Sequence, residues 1–74
     1  MSMRVAIIDD EVTVCKLLQK ALSKEGYEVE SFLAGNPFLE RMDQNPFQLI
    51  FADLRLPDLD GMEILKRVKR QHVD

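Results

Sequence analysis

Leu49-Ile50-Phe51-Ala52-Asp53-Leu54-Arg55-Leu56-Pro57-Asp58-Leu59-Asp60-Gly61 opens as a short apolar run, stops at one carboxylate, Asp53, and turns through a loop holding Pro57 and Gly61. The run has the pattern of a strand buried on both faces. In a parallel α/β sheet, ligands and chemistry sit just past the carboxyl ends of the strands. Asp53 stands at such an end. The design recurs near the amino terminus, where Val5-Ala6-Ile7-Ile8 runs into Asp9-Asp10-Glu11.

Between and after these two strands the spacing predicts the remaining elements. Val14, Leu17, Leu18, Ala21 and Leu22 recur at helical intervals from Val12 to about Lys24, with lysines on the other face and in the last turn. Gly26 supplies a left-handed stop. Tyr27 to Phe32 alternates, with Glu28 and Glu30 on one side, which predicts an edge strand. Asn36-Pro37 opens a shorter helix with Asn36 as cap and Pro37 at the first helical position, and Asn45-Pro46 closes it. Phe47 to Ala52 is the third strand. A third helix starts at Asp60 or Gly61 and runs to about Gln71, its buried stripe being Met62, Leu65 and Val68 with Ile64 on the flank. Strand and helix alternate three times, the order of an α/β fold with right-handed parallel crossovers.

Composition narrows the function. A length of 74 residues allows one domain, of modest stability, since so short a chain buries only about 60% of its unfolded surface. The net charge of −3 argues against a nucleic-acid surface, which is normally a basic patch. Cys15 is the single cysteine, which removes an intrachain disulfide and a Cys-rich metal site, and its place in a helical pattern reads as small apolar packing. No stretch approaches the roughly 20 apolar residues that span a bilayer, and Met1 to Arg4 leads directly into a strand, so a cytoplasmic protein is expected. His72, among polar residues, reads as a solvated side chain, and Met42 and Met62 read as core packing.

Should the first and third strands lie side by side, Asp9, Asp10 and Asp53 converge at one edge of the sheet. Two carboxylates about 4 Å apart repel by roughly 4 kcal/mol at an effective dielectric near 20. Three such groups call for a cation or a raised pKa, and hard oxygen ligands at this density suit Mg²⁺. A carboxylate beside Mg²⁺ can serve as a nucleophile toward phosphorus. The plainer alternative is capping: Asp9 to Glu11 precede one helix and Asp58 to Asp60 another.

Val5 to Glu11 and Leu49 to Gly61 closely resemble the receiver domain of two-component response regulators. The likeness rests on the acidic pair after strand one, the Gly26-Tyr27 step before strand two, and the Asp53…Pro57…Gly61 loop. It implies a flavodoxin-like doubly wound parallel sheet, with residues 1–74 as a single receiver domain of three strand–helix units in strand order 2-1-3. It also implies a role: Asp53 accepts a phosphoryl group from a sensor histidine kinase, and Asp9, Asp10, Asp53 and the main-chain carbonyl of Arg55 hold Mg²⁺. Such a domain is a phosphoacceptor rather than an enzyme, and its partners are the kinase and an output domain or downstream protein. The wording of the acceptor loop looks most like receivers of nitrogen-regulation-type transcriptional activators.

The family's domain has five units, in the order 2-1-3-4-5. The Ser or Thr ending its fourth strand and the Lys ending its fifth have no counterpart in residues 1–74, and Lys66 and Lys69 lie within the third helix. Deficient phosphotransfer is therefore expected of this chain. So is self-association through the third strand, which becomes an edge. Two further readings stay open: a phosphate-independent interaction module, and a Mg²⁺-dependent phosphohydrolase, although that class usually has a second Asp where Arg55 stands. No Gly-x-Gly-x-x-Gly or Walker lysine supports nucleotide binding.

Overall fold

A computed structural model describes residues 3–71. The elements run β1 (Arg4–Ile8), α1 (Val12–Lys24), β2 (Glu28–Phe32), α2 (Gly35–Gln44), β3 (Leu49–Ala52) and α3 (Gly61–Gln71). The three strands form one parallel sheet in the order β2-β1-β3. β1 is thus central, and its Val5, Ala6, Ile7 and Ile8 are at most 1% exposed. A strand buried on both faces needs apolar residues at every position, which is what this run supplies.

The chain moves from β1 to β2 and then back across β1 to β3. Right-handed crossovers in opposite directions put their helices on opposite faces of a sheet. Accordingly, Ala6 and Ile8 join Phe38, Leu39 and Met42 of α2, Phe47, and Ile64 of α3 in one buried cluster. α1 packs against β1 and β2 with Cys15 buried. Three phenylalanines tie the α2 side together: Phe32 meets Phe38 and Phe47 edge-on, with centroids 5.7 and 6.0 Å apart. Edge-to-face rings of this kind add to the stabilisation from burial alone.

A clamp closes the amino-terminal end of the sheet. Glu30 on β2 accepts hydrogen bonds from Arg4 of β1 at 3.1 Å and Arg41 of α2 at 3.0 Å. The Arg4 guanidinium lies 4.5 Å from the Phe47 ring centroid and donates to the carbonyls of Asn45 and Pro46. Glu30, which the alternation of β2 marks only as an edge charge, is half-buried and doubly paired. α1 ends as expected, with Gly26 at φ +92° donating to the Ser23 carbonyl.

Four local expectations need correction. α2 begins at Gly35, one residue before Asn36, and its cap position, Ala34, has no side-chain bond. Asn36 is therefore not the cap, and Pro37 is the third helical residue rather than the first, still in the turn where its missing N–H costs little. β3 begins at Leu49, and Phe47 is a buried residue leading into it. β3 is also not buried on both faces: α1 packs over β1 and β2 rather than β3, so Leu49 and Phe51 are 38% and 41% exposed, and among the described residues no strand pairs with its outer edge.

The fourth correction concerns helix faces. In α3, Ile64 is the buried residue and Val68 is half-buried, whereas Met62 and Leu65 are exposed. α3 leans toward α2, so the row through Ile64 meets the core and the row through Met62 and Leu65 faces outward along β3. Met62 is thus not core packing, while Met42, 2% exposed, is. On α1 the buried row runs through Cys15, with Val14, Leu18 and Leu22 half-buried; Leu17 and Ala21 are exposed. No described helix is long and apolar enough to cross a membrane. His72 lies outside the described residues.

Candidate functional site

Parallel register sets the height at which each chain leaves the sheet. Ile8 of β1 is level with Ala52 of β3 and with Phe32 of β2. The residues that follow, Asp9 and Asp53, therefore emerge side by side at the carboxyl edge. Their backbones continue the ladder for one more step: Asp53 N–H donates to the Ile8 carbonyl at 2.9 Å and Asp9 N–H to the Phe32 carbonyl at 3.0 Å. One carboxylate oxygen each from Asp9, Asp10 and Asp53 lies within 4.8 Å of the others. The sequence-predicted acids do converge.

Each carboxylate is oriented locally. Asp9 Oδ1 accepts the Glu11 N–H at 2.9 Å, which turns the chain into α1. Asp53 Oδ1 accepts the Arg55 N–H at 3.1 Å, which turns the chain into the β3–α3 loop. Asp9 and Asp53 are half-buried and Asp10 is exposed. A groove of about 310 Å³ lined by Ile7, Ile8, Leu18, Phe51 and Ala52 reaches Asp9 and Asp53 from the α1 side. Glu11 occupies the cap position of α1 without a side-chain capping bond. Cys15 approaches the Asp9 carbonyl at 3.3 Å, and burial, reinforced by the Asp9 charge, raises its thiol pKa. A thiol held protonated in this way is packing material rather than a nucleophile.

Gly61 closes the loop that carries Arg55. Its N–H donates to the Leu54 carbonyl at 2.9 Å, and a Cβ there would lie 2.9 Å from the Leu54 Cα and 3.3 Å from the Asp53 carbonyl oxygen. Arg55 and Asp60 pair as an isolated antiparallel bridge, so residues 55–60 form a small closed lobe. Asp60 also caps α3, accepting the Glu63 N–H at 2.9 Å. Capping thus explains Asp60, but Asp58 serves a different helix. Its two oxygens accept the Gly35 and Asn36 N–H groups of α2, each at 2.7 Å. These bonds hold the Asp58 carboxyl below the usual carboxylate range, the Asn36 bond most. Nothing in the sequence pairs residues so far apart; only the proximity of acidic residues to Gly and Pro signals a capping carboxylate of some kind.

A donor set of three carboxylates meeting at one point fits a hard divalent cation such as Mg²⁺, which takes few protein oxygens and keeps several waters. The matching family is described as the response regulator receiver domain, and it covers residues 5–74. Transcriptional regulatory protein TrcR of Mycobacterium tuberculosis is 37% identical over 70 residues, 95% of this chain and 27% of that protein. Response regulator receiver protein CpdR of Brucella abortus is 36% identical over 64 residues, 86% of this chain and 53% of that protein. The crystal structure of a CheY-like response regulator receiver domain protein from Methanospirillum hungatei superposes with a TM-score of 0.93 at 29% identity, covering 97% of this chain and 58% of that one. The chain thus spans about half, or less, of the proteins it resembles. The finer likeness to nitrogen-regulation-type activators is not shown by these relatives. With family, sheet order and fold in agreement, the chain belongs to the response regulator receiver domain family.

Proposed function

We propose that this chain carries the phosphoacceptor site of a cytoplasmic two-component response regulator, with Asp53 receiving a phosphoryl group from a sensor histidine kinase. The observation that carries the reading is the meeting of Asp9, Asp10 and Asp53 within 4.8 Å at the sheet's carboxyl edge. An Asp53 carboxylate oxygen would attack phosphorus as the phosphorus–nitrogen bond of the kinase phosphohistidine breaks and the imidazole leaves. Asp9, Asp10, Asp53 and the Arg55 main-chain carbonyl would hold Mg²⁺, which when bound offsets charge on the phosphoryl oxygens. Arg55 N–H, by bonding Asp53 Oδ1, leaves the second oxygen as the natural nucleophile. The domain acts as an acceptor rather than an enzyme, and it signals to an output domain or downstream protein, in keeping with the transcriptional regulators among its relatives.

By the family resemblance, residues 1–74 hold three of five strand–helix units, and the lysine that would contact the phosphoryl group lies outside them. The 74-residue chain by itself is therefore deficient in phosphotransfer. Incubation with a small phosphodonor and Mg²⁺, followed by intact-mass measurement, tests both statements. Slow, substoichiometric addition of one phosphoryl group that D53N abolishes supports them. Rapid stoichiometric labelling overturns the deficiency, and labelling retained in D53N overturns the assignment of the acceptor. The same chain self-associates through the outer side of β3 and the adjoining loop and α3, where Leu49 and Phe51 of β3, Leu54, and Met62 and Leu65 of α3 are exposed. A monodisperse monomer in sedimentation at high concentration would refute this.

A further inference from the structure

We propose that Asp58 is a positioning residue for the acidic site: it latches the β3–α3 loop to the amino end of α2 and so fixes Asp53 and Arg55. The inference rests on the metal-site reading above. α2 lacks a side-chain cap of its own at Ala34. Asp58 supplies one from 23 residues away, one oxygen to Gly35 N–H and the other to Asn36 N–H. A carboxylate there also meets the positive end of the helix dipole. The contact is close as well as polar: a Cβ on buried Gly35 would come within 3.0 Å of Leu59 Cδ1 and 3.3 Å of Asp58 Oδ1.

The latch sits on the lobe that leads to the acids. Residues 55–60 are closed at their base by the Arg55–Asp60 bridge, and Asp58 lies on the far side of that closure. The base is bonded inward through Arg55 N–H to Asp53 Oδ1 at 3.1 Å and through Gly61 N–H to the Leu54 carbonyl. Leu56 and Leu59 pack on the core beneath. The lobe is therefore held at two ends, by Asp58 at α2 and by Asp53 at the site. Releasing the first end lets the whole lobe, including the Arg55 carbonyl, move relative to Asp9 and Asp10. A plain helix cap would stabilise α2 without touching the site; a latch ties metal affinity to α2.

The test is an NMR titration of the chain with Mg²⁺ alone, following the amides of residues 9, 10 and 53–55. Wild type is compared with D58A, D58N and G35A, and with E30Q as a control that weakens the clamp at the opposite end of the sheet. Loss of the latch should lower Mg²⁺ affinity roughly tenfold in D58A, the low end of what outer-shell substitutions cost. D58N keeps one acceptor oxygen and should fall between D58A and wild type. G35A removes no carboxylate yet crowds Leu59 and Asp58 outward, and should also weaken binding. E30Q should lower the melting temperature with Mg²⁺ affinity unchanged. Wild-type affinity retained in D58A and G35A overturns the latch alone. A wild-type chain whose amides ignore Mg²⁺ overturns the metal reading, and the latch with it.

Discussion

A Cβ at Gly61 would lie 2.8 Å from Leu54 Cδ2 and 2.9 Å from the Leu54 Cα, and the second of these contacts is with backbone that cannot rotate away. Gly61→Ala should therefore displace the loop and destabilise the chain by about 1–3 kcal/mol, the usual cost of overpacking a closed site. Urea denaturation would measure it. Glu30 carries a second residue-scale expectation. Its hydrogen bond to Arg41, with the charges of Arg41 and Arg4, holds its pKa below the ordinary glutamate value. A carboxyl whose folded pKa is depressed contributes stability that is present above its unfolded pKa and is lost as pH falls through the folded one. Thermal melts from neutral pH downward should thus show wild type losing stability below about pH 4.3. E30Q should start lower and lose less over the same interval. Glu30 was legible in the sequence only as a charge on an edge strand, because its two arginines come from other elements.

At the scale of elements, α3 shows how a local signal and a tertiary outcome can part. Asp60 before Met62-Glu63-Ile64 reads as a helix start, and the structure has the Asp60 cap on Glu63 N–H. Asp60→Ala should cost about 1 kcal/mol, seen as a lowered urea midpoint at unchanged slope. The face that α3 buries was not legible in the same way. Met62, Leu65, Ile64 and Val68 are all apolar, so periodicity alone cannot say which row meets the core. Contact with α2 decides for Ile64. For α2 the reverse holds: Asn36-Pro37 has the composition of a helix start, but the capping group is Asp58, which approaches only once the third unit has folded back.

For the whole molecule, size sets the margin. A chain of this length should have a stability of roughly 4–11 kcal/mol. Phe38 is fully buried between Phe32, Phe47 and β1, and truncating such a ring costs about 3–5 kcal/mol. Phe38→Ala should therefore leave little or no cooperative transition in urea, whereas a surface change such as Leu17→Ala should leave it intact. The exposed outer side of β3 makes a separate expectation. Under the proposed self-association, Phe51→Lys places a charge on that edge and should shift the sedimentation profile toward monomer without altering helix content by circular dichroism.

The sequence by itself determined the alternation of three strands with three helices and the family to which the chain belongs. It also singled out Asp9, Asp10 and Asp53, because apolar runs, caps and strand-end acids are local patterns set by the pleat and the helical turn. The tertiary structure decided which ends come together. Parallel register puts Ile8 level with Ala52, and that alignment brings one oxygen from each of the three acids within 4.8 Å of the others. It also decided that Asp58 belongs to α2, that Glu30 binds two arginines, and that β3 keeps one apolar side exposed. Each of these depends on the distance between residues far apart along the chain, which packing fixes and periodicity does not encode.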